Sequence, residues 1–504
     1  MATLSLSTLQ GIGYAPAAGQ RSLAELLSDR QLFVASNRGP VHYRLRGGIP
    51  EARPAAGGLA TALSSLANYA PLTWLATASG PGDRLVASRG DTGPAAPGSP
   101  SLSFVTPTDD ELNWFYRRFS NPVLWFLQHG LWDMFRRPNL DEMTLQGWTL
   151  GYRPVNHSYA LALERKLQGQ RAPVVMVHDY HLYLVPGLLR RRVPEAKIHH
   201  FTHIPWPEPS EWERMPAAIR RAVCTGLLGA DVVGFQTGSS ALNFLSCCDE
   251  FVPPARVDFG RRIVRWEGRE VMVRDYPISV DVAALRAVAD SPEAEEAKSR
   301  LSPLLGQRTI VRVDRLDPSK NVALGFRAFG ELLKRRPDLL GRVRFLAFLV
   351  PSRQNIAEYR RYSQEVFREA EEVNARFGGP GWQPVQIFHE DNRLQSMAAM
   401  MLADVLLVNP VADGMNLVAK EGAILSQRDA VLVLSDSCGA HEQLSEGAVT
   451  ISPRDLEDTV AGLARALDMP VGERRRRARI LRWAVESEDL SWWVRAQLED
   501  LLGD

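Results

Sequence analysis

At 504 residues the chain exceeds what one ordinary hydrophobic core supports, so its length predicts two or three domains. Its 45% hydrophobic and 23% charged content is ordinary for a globular protein, and a net charge of +1 argues against a general nucleic-acid or membrane-surface binder while leaving room for local basic pockets. No apolar run approaches the roughly 18 residues of a membrane span, and four cysteines without zinc-ligand spacing, Cys224, Cys247, Cys248 and Cys438, suit a reducing compartment.

Residues 1–31 read as a tail. Its first half is rich in Ser, Gly and Ala, it lacks the charged segment and long apolar core of a signal peptide, and a short helix is predicted over 22–27. A cytoplasmic protein is the expectation. The run 32–36 is the first strand. Residues 174–177, 197–202 and 231–235 are further strands, each ending in a polar turn, which is the mark of a parallel sheet. Residues 82–100, rich in Gly, Pro, Ala and Ser, read as a surface loop. A second series of strands follows residue 281: 309–313, 344–349, 385–388, 405–408 and 430–434. The helix-rich stretch between the two series, about Val282 to Leu305, is the boundary. Residues 490–498 form an amphipathic helix with two tryptophans, Trp492 and Trp493, expected to pack back on the body. The reading is an α/β chain of two Rossmann-like domains facing a cleft. It comprises a tail (1–31), an N-terminal domain (32–282), a C-terminal domain (283–482) and a returning C-terminal helix (483–504).

Chemistry is densest at residues 405–421. An apolar run breaks at Asn409-Pro410 and restarts as a helix near Asn416, so Asp413 and several backbone amides sit at a helix N-terminus beyond a strand's carboxyl end. Open α/β sheets bind ligands there, and the helix dipole favours phosphate. Glu421, one to two turns on, can accept from sugar hydroxyls. Arg315 and Lys320 share one turn after another strand, where an Arg fork and a Lys point charge can grip a diphosphate and neutralise a departing nucleoside diphosphate. Gly57 and Gly58 let backbone amides approach a phosphate, but the full dinucleotide fingerprint is missing. Asp179 and His203 end consecutive strand runs, Asp179 as an acceptor for sugar hydroxyls or an aid to proton removal from the acceptor, and His203 as a donor to a sugar oxygen. No HExxH spacing or cysteine set accompanies them, so neither metal nor cofactor is expected. Arg38, Tyr116, Trp125 and Arg353 are residue types that suit a phosphate monoester and an apolar wall.

Taken together these segments resemble the trehalose-6-phosphate synthase family of retaining glycosyltransferases, from about Leu32 to Leu501. The motifs that carry the resemblance are SNR at 36–38, AGGL at 56–59, FSN at 119–121 with Trp125, HDYHL at 178–182, HIP at 203–205, GFQT at 234–237, RLDxSK at 315–320 and DGMNLVAKE at 413–421. The resemblance implies a GT-B fold, an N-terminal acceptor domain and a C-terminal nucleotide-sugar domain. By matching position it implies Arg315 and Lys320 on the donor diphosphate, with Asp413, Gly414, Met415, Asn416, Leu417 and Val418 around the donor sugar. His203 is placed with that sugar, Gly57 and Gly58 on the donor side, and Glu421 on the ribose. Asp179 is placed on the acceptor sugar, and Arg38, Tyr116, Trp125 and Arg353 on its phosphate. The implied partners are UDP-, GDP- or ADP-glucose and glucose 6-phosphate, with neither nucleic acid nor membrane; a homo-oligomer is allowed. Attack on the same face as the leaving phosphate is implied, without a covalent carboxylate nucleophile.

The chain departs from the family pattern at four places. Ala78 stands where many members carry a tryptophan, Ser279 where a glycine is usual, Pro318 for tyrosine and Asn321 for glycine. Two alternatives therefore stand beside sugar transfer. One is a pseudo-glycosyltransferase coupling a nucleotide-linked cyclitol to an amino-cyclitol phosphate. The other is an inactive sugar-phosphate sensor, whose expected signature, loss of Arg315, Lys320 or Asp413, is absent.

Overall fold

The computed structural model describes residues 22–503 apart from 55–59, 61–62, 95–97, 133–141, 172 and 355. The strands of the first half are β1 (Leu32–Ala35), β2 (Val41–Arg46), β3 (Ile49–Pro54), β4 (Leu72–Thr77), β5 (Ser101–Val105), β6 (Val174–His178), β7 (Lys197–Phe201), β8 (Val232–Phe235), β9 (Arg256–Asp258), β10 (Ile263–Trp266) and β11 (Arg269–Asp275). β2 and β3 make a separate antiparallel hairpin. The others form one nine-stranded sheet in the order β5-β4-β1-β6-β7-β8-β11-β10-β9, with β10 antiparallel to both its neighbours and the remaining pairs parallel. The second half supplies β12 (Arg308–Arg315), β13 (Val343–Val350), β14 (Val385–Phe388), β15 (Val405–Val408), β16 (Val431–Ser435) and β17 (Val449–Ile451), a wholly parallel sheet in the order β14-β13-β12-β15-β16-β17.

Both sheets begin in the middle, run to one edge, then return and build out the other side; in the first sheet β9 takes the far edge and β10 and β11 fill back to β8. The order reverses between β1 and β6 in one sheet and between β12 and β15 in the other. At such a point neighbouring loops diverge and open a crevice beyond the strands' carboxyl ends. The central strands are covered on both faces, so every residue of β1, β6, β15 and β16 is buried. That is why they read as unbroken apolar runs rather than alternating ones.

The structure departs from the sequence reading around residue 82. The stretch expected to be a surface loop contains a helix, Pro81–Ala87, with proline in its first turn. A Cβ on Gly82 would lie 2.2 Å from the Tyr43 carbonyl oxygen, so this glycine lets the helix press against the hairpin backbone. At the other end of the chain, the helix Leu490–Leu502 lies on the first sheet. Trp493 is fully buried, meets Phe201 edge-on at 5.3 Å and donates its indole N–H to the Tyr276 carbonyl at 3.0 Å. Among the described residues no helix is long and apolar enough to cross a membrane.

Candidate active site

The loops from the two reversal points face each other. On the side of the second sheet, Arg315 is the last residue of β12, and Lys320 closes the short turn Pro318–Lys320. Lys320 pairs with Asp413, which also accepts from the Asn416 amide at 3.0 Å. Burial would raise the Asp413 carboxyl, but the Lys320 ammonium outweighs it and holds the group below its ordinary value. Asn416, with φ at 89°, caps the helix Leu417–Leu425 by accepting from the Ala419 amide at 3.1 Å. The first-turn amides, including those of Leu417 and Val418, lack intrahelical partners and carry the positive end of the dipole. Glu421 lies one turn on, beside Arg393 at 3.4 Å.

On the side of the first sheet, Arg38 follows β1 and donates to the Tyr116 hydroxyl at 3.1 Å. Tyr116 and Trp125 belong to an unusual element, the π-helix Asn113–Trp125, with Pro122 inside it. The wide turn is tied by Asn121, which donates to the Tyr116 carbonyl at 2.9 Å and accepts from the Tyr180 hydroxyl at 2.8 Å. Such segments recur at functional sites. Arg353 reaches across from the second sheet. Its guanidinium lies 5.2 Å from the Trp125 ring and donates to the Tyr359 hydroxyl at 2.5 Å. Burial would raise the Tyr116 hydroxyl, yet Arg38 and Arg353 together pull it down.

The predicted residues Arg38, Tyr116, Trp125 and Arg353 are thus brought together, as are Arg315, Lys320, Asp413 and Asn416. Asp317, assigned no role from sequence, joins the two groups. It is fully buried and forms ion pairs with Arg315 at 2.7 Å and Arg353 at 3.5 Å. Its carboxyl is held at about 2 because the two guanidiniums outweigh the effect of burial. His129 was also missed, although it follows Trp125 by one helical turn. It is buried, stacks on Trp125 at 4.0 Å, and lies in the field of Asp413, Lys320 and Arg353.

Asp179 follows β6 with φ at 73°, a conformation that costs a non-glycine residue of order 1 kcal/mol or more. Its carboxylate accepts from the His203 amide at 3.2 Å, and burial raises it to about 6. Both ring nitrogens of His203 are engaged within the protein, with His178 at 3.2 Å and Gln236 at 3.3 Å. Its main chain meets Gly414 instead: a Cβ on Gly414 would lie 1.9 Å from the His203 carbonyl oxygen. Ala78 is fully buried at the end of β4, its amide donating to Val105 at 2.9 Å. Gly57 and Gly58 lie outside the described residues.

Further contacts close the cleft. Glu442 accepts from the Gly238 amide and the Ser239 hydroxyl, each at 3.0 Å, and Arg454 donates to the Gly130 carbonyl at 3.3 Å.

Buried histidines lie in and beside the first sheet. Burial holds His199, His200 and His203 at about 3 and His129 at about 4. A histidine whose folded value is depressed contributes stability that is whole above its unfolded value near 6.5 and drains away as pH falls toward the folded value. His178 and His181 are depressed too, and carboxyls raised by burial, Asp179 among them, have the opposite sign but ionise in the unfolded chain at about 4, below most of this interval. The urea midpoint is therefore expected to fall between about pH 7.5 and about pH 5. A midpoint that stays level across that interval rules the account out.

A family profile described as glycosyltransferase family 20 matches residues 30–502. The chain is 33% identical over 506 residues to a trehalose-6-phosphate synthase of Mycobacterium avium, covering 97% of this chain and 98% of that protein. It is 32% identical over 476 residues to a bifunctional trehalose-6-phosphate synthase/phosphatase of Thermoproteus tenax, covering 92% of this chain but only 62% of the length of that protein. It is 29% identical over 484 residues to a validamine 7-phosphate valienyltransferase of Streptomyces hygroscopicus subsp. limoneus, covering 95% of each. Among solved structures, the Escherichia coli protein bound with UDP-2-fluoro glucose superposes with a TM-score of 0.78 at 28% identity, covering 94% of this chain and 99% of that one. The trehalose-phosphate synthase of Burkholderia xenovorans in complex with glucose 6-phosphate gives 0.79 at 29% identity, covering 94% and 100%. The fold is GT-B, as expected from sequence.

Proposed function

Since the chain belongs to glycosyltransferase family 20, we propose that it transfers glucose from a nucleoside-diphosphate glucose to glucose 6-phosphate with retention, forming trehalose 6-phosphate. The observation that carries this reading is the pair of cationic sets linked by Asp317. Arg315 and Lys320, beside the helix start at Leu417, suit a diphosphate that gains charge as it leaves. Arg38, Tyr116 and Arg353, walled by Trp125, suit the acceptor phosphate. Asp413, Gly414, Met415 and Asn416 would surround the donor sugar, Glu421 the ribose and Asp179 the acceptor sugar. His203 would serve the donor sugar through its main chain or after releasing a ring partner.

In the proposed reaction the acceptor hydroxyl oxygen bonds to the anomeric carbon as the carbon–phosphate oxygen bond breaks on the same face. The acceptor proton passes to a leaving phosphate oxygen. Asp413 is already tied to Lys320 and Asn416, which favours an orienting role over a nucleophilic one. Positioning two substrates in one closed cleft supplies the rest. Residues 32–282 would carry the acceptor and 283–482 the donor, with 483–504 closing the first unit, in a cytoplasmic setting.

The test is incubation with UDP-, GDP- or ADP-glucose plus glucose 6-phosphate, with products identified by mass. Release of nucleoside diphosphate with a disaccharide phosphate is expected. Arg315 and Lys320 would supply the leaving-group charge, so EDTA should leave turnover largely intact; full loss restored by one metal contradicts that. Turnover only with a nucleotide-linked cyclitol and an amino-cyclitol phosphate would replace this reading with pseudo-glycosyl transfer.

A further inference from the structure

Beneath the Arg315–Lys320 turn lies a buried cation without a part in the reaction above. Arg312 sits within β12 and is 0% exposed. Its Nε donates to Asp314 at 2.8 Å and its Nη2 to the Lys320 carbonyl at 2.7 Å. Taking a guanidinium out of water costs several kcal/mol unless it is paired and hydrogen-bonded. Asp314 balances its charge, and the remaining contact is spent on the main chain of one residue.

That residue needs a fixed origin. A lysine ammonium is a point charge on a flexible four-carbon stem, so its position is set largely by where the stem begins. The surroundings of the turn serve the same end. Asn321 closes it in the left-handed region, φ 58°, and donates to the Pro453 carbonyl at 2.7 Å. The Val322 amide donates to the Tyr362 hydroxyl at 2.6 Å. The Ser319 carbonyl accepts from the Val411 amide at 2.8 Å, which ties the turn to the loop carrying Asp413. Gly325 leaves space for the guanidinium: a Cβ there would approach Arg312 Nη1 to 2.6 Å.

We propose that Arg312 is a positioning residue for the donor diphosphate, fixing the main chain of Lys320 so that its ammonium is presented in one geometry. The inference rests on the donor assignment of Lys320. Calorimetric binding of UDP and, separately, of glucose 6-phosphate tests it in three proteins: wild type, Arg312→Met, and Arg312→Met combined with Asp314→Leu. The single variant leaves Asp314 buried and unpaired and should melt earlier. The double variant removes both charges and should regain much of the lost Tm. UDP binding is expected to weaken about tenfold in both variants, as for one lost charge-assisted hydrogen bond, while glucose 6-phosphate binding stays within about twofold. Recovery of UDP affinity together with Tm in the double variant overturns the inference, because Arg312 would then serve stability alone. Equal weakening toward both ligands overturns it too. Failure of the wild type to bind UDP, GDP or ADP overturns the donor assignment itself, and this inference with it.

Discussion

Replacing Arg315 with alanine is expected to lower kcat by about 10²–10³-fold, the loss seen when one fixed donor aimed at developing negative charge is removed. Arg315 is 56% exposed at the end of β12, yet its guanidinium is aimed by the fully buried Asp317 at 2.7 Å. A group held in place before reaction spends little on reorganising as the diphosphate departs, which is what gives electrostatic stabilisation its size. Arg315→Lys keeps the charge and loses the planar fork, so it should recover only part of the rate. Removing Arg315 also leaves Asp317 to Arg353 alone, so a modest rise in KM for glucose 6-phosphate should accompany the fall in kcat. Nucleoside diphosphate release, followed with both substrates saturating, measures the main effect. Turnover close to wild type would take Arg315 away from the leaving group.

Gly414→Ala is expected to be about as damaging for a different reason. The added Cβ would sit 1.9 Å from the His203 carbonyl oxygen and 2.9 Å from its carbon, both backbone atoms of the opposite loop. On the other side, a Cβ built on Gly439 would lie just as close to the Gly414 carbonyl oxygen, so the loop has little space to retreat. The cleft would have to part by about an ångström, and a displacement of that size at a reacting centre can cost about 10²-fold. The cores of the two sheets are untouched, so the thermal midpoint should move little while kcat falls by that factor or more. Small-angle scattering should show a more open particle. Full activity in this variant would mean that the contact between residues 203 and 414 is absent during turnover.

The strands that carry the site were legible because they are buried on both faces. β1, β6, β8, β13, β15 and β16 are largely apolar runs ending in polar turns, and the loops after β1, β6 and β15 hold Arg38, Asp179 and Asp413. The hairpin β2–β3 was not legible: its residues are half-buried to exposed and include Arg44, Arg46 and Arg53, so neither a run nor an alternation stands out. The π-helix around Tyr116 has no hydrophobic period of its own to recognise. Arg312 in β12 reads as an interruption of a strand until its partners are seen. Asp317 lay inside a recognised motif, but its role comes from meeting Arg353, 36 positions away by residue number, through the parallel pairing of β12 with β13. Conformations such as φ 73° at Asp179 and 39° at Arg353 leave no trace in composition.

The returning helix Leu490–Leu502 has a mechanical consequence. The polypeptide passes between the lobes twice, once near Val280 and once near Leu490, and the two passages touch where the Leu490 amide donates to the Val280 carbonyl at 3.2 Å. Lys420 braces the first passage from the other side, its buried ammonium donating to the Ile278 carbonyl at 2.8 Å. A single tether would let one lobe swivel freely against the other. Two tethers pinned side by side act as the two leaves of a door hinge, permitting rotation about one line and resisting twist. Any closing movement would then bring Arg353 back to the same place opposite Trp125, so alignment of the two phosphates would not have to be searched for anew.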